Sequence, residues 1–204
     1  MELYDTEEQQ VEAIKDWWKE NGKSVILGAV VGLGGLFGWR YYQDSVTAAQ
    51  ESASESYTKA VQQLAESGAE GEVVLQGFID ANNDSQYAVL AALQLAKVQV
   101  EAGEFDEALA QLEWAKSATE DQALVSVISF RLARLKSEQG DFDDALTELS
   151  AIDDESWAGR VAELKGDILL RKGDSEGAYT AYIEAQQAKD ASQALQMKLD
   201  DLAK

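Results

Sequence analysis

The stretch that decides the fold occurs three times: AGEFDEALAQLEWA at residues 102–115, QGDFDDALTELSAI at 139–152 and KGDSEGAYTAYIEA at 172–185. In each copy a Gly is followed by an acidic residue and, five positions later, by an Ala. The three glycines, Gly103, Gly140 and Gly173, lie 37 and 33 residues apart. Because apolar residues recur around them with helical spacing, the sequence predicts pairs of helices repeated along the chain.

The composition favours helices and excludes several kinds of site. The 204-residue chain contains no Pro, and 46% of its residues are hydrophobic, which favours long helices with buried faces. It contains no Cys and no His, so thiol nucleophiles, thiolate or imidazole metal sites and Ser-His-Asp triads are excluded. With 38 Asp and Glu against 17 Lys and Arg, the net charge is −21, which argues against nucleic-acid binding. We expect a protein that is not an enzyme, with no metal, cofactor or small-molecule substrate.

The repeated pattern resembles the tetratricopeptide repeat, a helix–turn–helix unit of about 34 residues. On that resemblance Ala108, Ala145 and Ala178 occupy the small position where the second helix of each pair crosses the first. Phe105 and Phe142 are expected to fill the space beside the turn. The resemblance implies an all-α fold, a tetratricopeptide-repeat α-solenoid preceded by a single transmembrane helix. An ordinary helical bundle is the alternative.

The chain is expected to divide into three segments: a short N-terminus with an amphipathic helix (1–23), a transmembrane helix (24–42) and a repeat domain (43–204). Clear repeats are expected at about 89–122, 126–158 and 159–189, with a degenerate first helix pair at 45–81 and a C-terminal capping helix at 190–203. A solenoid needs such caps because each repeat buries its apolar face only against its neighbours.

One uncharged stretch predicts the membrane-spanning helix. Residues 24–39, SVILGAVVGLGGLFGW, carry no charge, and extension to Tyr42 gives a helix of about 28 Å, close to the roughly 30 Å hydrocarbon core of a bilayer. Aromatic residues at both ends resemble the belts of spanning helices: Trp17, Trp18, Trp39, Tyr41 and Tyr42. A buried core helix and a cleaved signal peptide are the alternatives.

Glycines and lysines in and beside this stretch predict its packing and its orientation. Gly28, Gly32 and Gly35 provide a face on which another membrane helix could approach closely, although Gly is also common in membrane helices in general. Three lysines, at positions 15, 19 and 23, precede the span, and only Arg40 follows it closely. The positive-inside rule therefore places the N-terminus in the cytoplasm and the repeat domain on the other side.

The first helices of such repeats line a concave face, and the repeat template identifies its positions. The candidate protein-binding residues are Leu93, Lys97, Phe130, Arg134, Arg160 and Arg171, with Leu90, Val100 and Asp167 beside them. Apolar and basic side chains in an acidic domain would suit an extended or helical segment of another protein. A solvated face or a partly filled core explains them as well. Chaperone-binding repeats clamp a C-terminal carboxylate with Lys and Asn, and this chain lacks that set, so the clamp activity is not expected.

The order and size of these parts give a second resemblance, which covers essentially the whole chain. A short acidic N-terminus with Trp17 and Trp18, a Gly-rich span and an acidic repeat domain together resemble the YfgM family of ancillary subunits of the bacterial SecYEG translocon. The resemblance implies a bacterial inner-membrane protein with its domain in the periplasm. It also implies association with SecYEG and with PpiD, a membrane-tethered periplasmic chaperone of the prolyl isomerase class. The role would be assistance to newly translocated proteins.

Two other functions remain open at this stage. One is a tether or scaffold for another envelope assembly or secretion complex, with the same fold and a different partner. The other is a receptor for imported precursors on an organelle surface, with the domain facing the cytosol. Protease accessibility of the domain in intact cells or organelles would separate the second from the rest.

Overall fold

The computed structural model describes residues 7–202 and confirms the all-α fold class. The first six residues of the predicted N-terminal segment and Ala203, the last residue of the predicted cap, lie outside the described residues. Within that range the helices are α1 (Glu7–Ser67), α2 (Ala69–Ala81), α3 (Gln86–Ala102), α4 (Phe105–Ser117), α5 (Gln122–Gln139), α6 (Phe142–Ser150), α7 (Ala158–Lys172), α8 (Ser175–Gln187) and α9 (Leu195–Leu202), with a 3-10 helix at Glu155–Trp157.

The chain divides into two compact units, Met1–Ser52 and Ala53–Lys204. Helix α1 contains the predicted amphipathic segment, the predicted span and the first helix of the predicted degenerate pair. From Glu7 onward, the segments expected at 1–23 and 24–42 and the first part of the pair expected at 45–81 are thus continuous in one helix. The chain has no Pro, and no Gly occurs between Gly38 and Gly68, so no residue interrupts the helical backbone in that stretch. Helix α1 ends before Gly68, whose φ is 53°.

The three quoted stretches form the turn and the second helix of three consecutive helix pairs, α3 with α4, α5 with α6, and α7 with α8. Gly103, Gly140 and Gly173 follow the first helices with φ values of 81°, 90° and 94°. A side chain disfavours this left-handed conformation, so Gly is the residue that fits there. In each turn the next N–H donates to a carbonyl of the preceding helix, for example from Glu104 to Gln99 at 2.8 Å.

The core of the second unit runs along the array as three successive clusters of buried apolar residues. Ala108, Ala145 and Ala178 are each fully buried, as the crossing of closely packed helices requires. Phe142 packs against the middle cluster. Phe105, the first residue of α4, is less covered, with 37% of it exposed.

The C-terminal cap begins later than expected, at Leu195, and buries Leu195 and Leu199. Residues 188–194 are instead a connection. Within it, the Asp190 carboxylate accepts hydrogen bonds from the backbone N–H groups of Gly159 at 2.7 Å and Arg160 at 3.2 Å. The residue before α7, Trp157, makes no side-chain capping bond. Asp190, 31 residues from Gly159, instead accepts the hydrogen bonds of the first free N–H groups of α7.

Candidate protein-binding groove and membrane segment

A groove lies between the first helices of two adjacent repeats, α3 and α5. Its volume is about 380 Å³, in the lower part of the roughly 300–1,000 Å³ range of ligand sites. The apolar lining consists of Leu93, Ala96, Val100, Leu112 and Leu135. Val100 is 39% exposed, whereas the other four are buried. The groove therefore has an apolar floor that is already packed, with room for a few additional side chains.

Two glutamates on the groove are already engaged by cations. Glu101 lies 3.7 Å from the Lys97 ammonium, one turn away on α3. Glu138 accepts hydrogen bonds from both terminal nitrogens of Arg171 on α7, at 2.7 and 3.2 Å. A bidentate pair of this kind is stronger than a single contact. Arg171 thus links α7 to α5 beside the groove.

Two arginines also line the groove, one helical turn apart on α5. Arg131 donates a hydrogen bond of 3.4 Å to the backbone carbonyl of Leu93. Within residues 7–202, no carboxylate lies within ion-pair distance of Arg131 or of Arg134. Both side chains therefore retain donors for a ligand in the groove.

The structure brings four of the sequence-predicted residues together here: Leu93, Lys97, Val100 and Arg134. Leu93 is buried and forms part of the floor, whereas Lys97 and Arg134 are exposed. Sequence reasoning missed Arg131, although it precedes Arg134 by three positions and therefore shares its face of the helix. That spacing was the available signal.

Apart from Arg171, which contacts Glu138 at the groove, the other predicted face residues do not line it. Phe130 and Arg160 both pack against Trp157. The ring centroids of Phe130 and Trp157 are 5.3 Å apart, and the guanidinium carbon of Arg160 lies 5.0 Å from the Trp157 ring centroid. Arg160 also lies 3.8 Å from Asp190. Leu90 is half-buried on α3. These contacts hold the start of α7 against α5.

Asp167 is occupied by the capping helix and is not available as a residue of an open concave face. Its carboxylate accepts hydrogen bonds from Lys198 on α9 at 2.6 and 2.8 Å and from the Tyr182 hydroxyl at 2.8 Å. Burial and the bond to Asp167 raise the pKa of Tyr182 well above its usual range. The tyrosine is therefore a neutral donor at any ordinary pH.

The first unit contains the helix that could span a membrane. By length and composition it is the one such helix among the described residues. An 18-residue window of this helix has a mean hydropathy of 1.4, and 6% of the window is buried. A core helix of that apolarity would be mostly covered by protein. This single apolar helix before the repeats fits a single-pass membrane protein.

The predicted packing glycines and interface aromatics lie on this helix with open surroundings. Apart from the adjacent residues and the backbone of the helix itself, no atom of residues 7–202 lies within 4 Å of a Cβ placed on Gly28, Gly32 or Gly35. The aromatic side chains are all at least half exposed: Trp17, Trp18, Trp39, Tyr41 and Tyr42. Spacings of four and three residues put the three glycines on one face, so a second helix could approach the backbone there.

Comparisons with known proteins agree with this architecture. The family model described as a tetratricopeptide repeat-like domain matches residues 15–204. A tetratricopeptide repeat protein of known structure from Parabacteroides merdae superposes with a TM-score of 0.60 at 16% identity, covering 75% of this chain and 60% of that one. At that identity the likeness shows the fold alone.

Two sequence relatives carry the same description. The "Ancillary SecYEG translocon subunit" of Escherichia coli is 37% identical over 206 aligned positions, covering 100% of both chains. The protein of that name from Haemophilus influenzae is 36% identical and covers 96% of this chain and 97% of its own length. Similarity of this extent, together with the repeat-domain match, shows that the chain belongs to the family of ancillary SecYEG translocon subunits.

Proposed function

We propose that this chain is a single-pass inner-membrane subunit that associates with the SecYEG translocon and there assists the handling of translocated proteins together with the periplasmic chaperone PpiD. The observation that carries the proposal is the full-length similarity to relatives named as translocon subunits, with the span and the repeat domain both included. The repeat fold points to protein binding, and we propose that the chain is not an enzyme.

The orientation that we propose has the N-terminus in the cytoplasm and residues 43–204 in the periplasm. It follows from Lys15, Lys19 and Lys23 before the span against Arg40 after it. The chain has no Cys, so a single introduced thiol reports its own side of the membrane. In spheroplasts, a membrane-impermeant maleimide should label Lys189→Cys and leave Gln10→Cys unlabelled until the membrane is opened. Labelling of Gln10→Cys alone would contradict this orientation.

Each unit has its own part in the mechanism. The span keeps the repeat domain close to the exit of the channel, which raises its effective concentration for partners there. The face of Gly28, Gly32 and Gly35 provides the contact with a membrane helix of a partner. The predicted concave residues, in particular Lys97 and Arg134, contact a protein in the periplasm.

In-cell photo-crosslinking tests the association directly. A photoreactive residue at Gly32 has open space around it apart from its own helix. It therefore samples neighbouring membrane helices, and we expect adducts with subunits of SecYEG. Phe130 is a poor second site because it stacks on Trp157. Lys97 is exposed and lines the groove, so a probe there should form adducts with PpiD or with a translocating protein.

The same probe at Lys189, exposed in the connection before α9, is the matched control. Adducts from Gly32 with the membrane subunits of a different assembly would favour the tether or scaffold function. Absence of SecYEG adducts from both Gly32 and Lys97, with the protein present at its native level, would contradict the proposal.

A further inference from the structure

The groove between α3 and α5 is short. Along α3 its lining extends from Leu93 to Glu101, which at the rise of an α-helix is about 12 Å. An extended peptide advances roughly 3.3 Å per residue, so about four residues fit. A long unfolded client would exceed this site, whereas a short motif of one partner fits it.

The chemistry of the groove combines apolar surface with unpaired positive charge. Val100 is partly exposed between the two helices and offers contact to an aliphatic side chain. Arg131 and Arg134 have no carboxylate within ion-pair distance among the described residues, although acidic residues outnumber basic ones 38 to 17 in the chain. The groove's own glutamates are held by Lys97 and Arg171, which reduces their repulsion of an incoming anion.

We propose that this groove binds an internal segment of about four residues from a partner protein, in which aspartate or glutamate side chains alternate with aliphatic ones. This deepens the proposed protein-binding function and rests on it. The partner's carboxylates pair with Arg131 and Arg134, and its aliphatic side chains pack against Val100 and the floor at Leu93 and Leu135.

An internal acidic segment suits the groove better than a chain terminus. A guanidinium accepts a side-chain carboxylate through two parallel hydrogen bonds, and α5 presents two of them one turn apart, matched to two carboxylates. No Asn lines the groove, so the amide partner that a terminal carboxylate clamp uses is missing. A basic segment would instead bring like charges against Lys97 and both arginines.

Binding of defined peptides to the purified full-length chain in detergent micelles tests this proposal. Three fluorescein-labelled octapeptides, blocked at both ends, carry the core Asp-Leu-Glu-Leu, its uncharged isostere Asn-Leu-Gln-Leu or the basic core Lys-Leu-Lys-Leu. Binding is measured by fluorescence anisotropy, and the anisotropy of each peptide with empty micelles is subtracted. We expect the acidic core to bind at least about tenfold more tightly than its isostere, the effect of one or two charge-assisted hydrogen bonds.

Three variants identify the groups responsible. Arg131→Gln/Arg134→Gln should reduce the preference for the acidic core to within about twofold, and Arg131→Lys/Arg134→Lys should restore much of it because the charge is kept. Lys165→Gln/Lys189→Gln alters the net charge equally at exposed positions outside the groove and should leave the preference unchanged. Urea unfolding of each variant verifies that the repeat domain is still folded.

Equal binding of the acidic core and its isostere would overturn the proposal, and so would tighter binding of the basic core. An equal loss in the Lys165 and Lys189 variant would show that net charge alone is responsible. Binding of the acidic octapeptide only when its C-terminus is left unblocked, measured with that additional peptide, would replace the internal segment by terminus capture. None of these outcomes affects crosslinking from Gly32 to SecYEG, so failure of this inference is distinguishable from failure of the proposed function.

Discussion

Glu148 on α6 ties together three helices of two repeats through a pair of lysines. Its carboxylate accepts a hydrogen bond of 2.7 Å from Lys116 on α4 and one of 2.9 Å from Lys136 on α5. Burial alone would raise the pKa of Glu148, but the two lysine hydrogen bonds outweigh it and hold the pKa below its usual 4.5. This ion pair therefore stabilises the fold above the ordinary pKa, and its contribution is lost as the pH falls through the lowered value.

Replacement of the Glu148 carboxylate should lower the stability of the fold at neutral pH and have little effect on it in acid. We expect Glu148→Gln to lower the free energy of unfolding at pH 7 by about 1–3 kcal/mol, because the Lys136 ammonium loses its charged partner. The difference from wild type should shrink as the pH falls through the lowered pKa of Glu148, because the native carboxyl then becomes neutral as well. Urea unfolding followed by circular dichroism measures both, with exposed Glu107→Gln as the control. An undiminished difference in acid would refute the ion-pair explanation.

In the third repeat, one side chain of the helix crossing is smaller and its neighbour larger than at the same positions of the first two repeats. The first two repeats pack Ala96 with Leu112 and Ala133 with Leu149 in the same clusters. The third has Gly166 against Tyr182, and a Cβ at position 166 would overlap the tyrosine ring. The larger ring thus requires the smaller partner.

This difference in size predicts strong coupling between the two positions. Gly166→Ala should destabilise the chain by about 1–3 kcal/mol through overpacking, and Tyr182→Leu should destabilise it through a cavity and the lost bond to Asp167. The double variant Gly166→Ala/Tyr182→Leu recreates the Ala–Leu pair of the other repeats. Its loss of unfolding free energy should therefore be smaller than the summed losses of the two single variants by roughly 0.5–3 kcal/mol. Additive losses in urea unfolding would contradict this account.

At the scale of elements, α9 depends on charge as well as on apolar contact. It has 8 residues, too few for an isolated helix. Lys198 attaches it to α7 through Glu163 at 2.8 Å and Asp167 at 2.6 Å. Burial alone would lower the pKa of Lys198, but its bonds to Asp167 and Glu163 raise the pKa above 10.5. The charge of Lys198 therefore contributes fully below that pH, and its contribution is lost as the pH rises through the raised value.

Loss of this lysine should release the cap without unfolding the array. In Lys198→Met we expect amide hydrogen exchange in α9 to accelerate about tenfold, equivalent to roughly 1.4 kcal/mol. Exchange in α3 to α6 should remain unchanged because solenoid repeats contact only their neighbours. Lys189→Met, in the exposed connection, is the control. Uniform acceleration along the whole chain would show that the array unfolds as one unit.

Elements defined by local signals could be predicted from the sequence, and those defined by distant contacts could not. Gly103, Gly140 and Gly173 marked each turn because the left-handed backbone there requires glycine. The start of α9 was predicted five residues too early. Asp190 accepts a hydrogen bond from the distant N–H of Gly159, and the helical pattern does not reveal this contact.

The same limitation applies to the candidate site. The repeat template located Lys97 and Arg134 on the groove but assigned Asp167 to an open face. The partner of Asp167, Lys198, lies 31 residues away in the sequence, so a local pattern cannot show the pair.

At the scale of the whole molecule, two units meet different solvents. The apolar window of α1 is 6% buried, which is favourable in lipid and costly in water. The repeat array stacks its core in sequence and keeps acidic side chains outside, as suits an aqueous compartment. An anchor of this kind holds a repeat array near partners at the same membrane, which would raise the effective concentration for a weak contact such as the one proposed for the groove.

The contact within the membrane should depend on the small residues of one helix face. Gly32→Leu places a branched side chain where Gly28, Gly32 and Gly35 allow close backbone approach. We expect about threefold lower recovery of SecYEG with the affinity-purified chain, equivalent to under 1 kcal/mol of contact. Val30→Leu enlarges a side chain on another face and should have no effect. Since no other described helix contacts the Cβ position of Gly32, urea unfolding of the repeat domain should be the same in both variants. Undiminished recovery in Gly32→Leu would exclude this face and leave the repeat domain as the source of association.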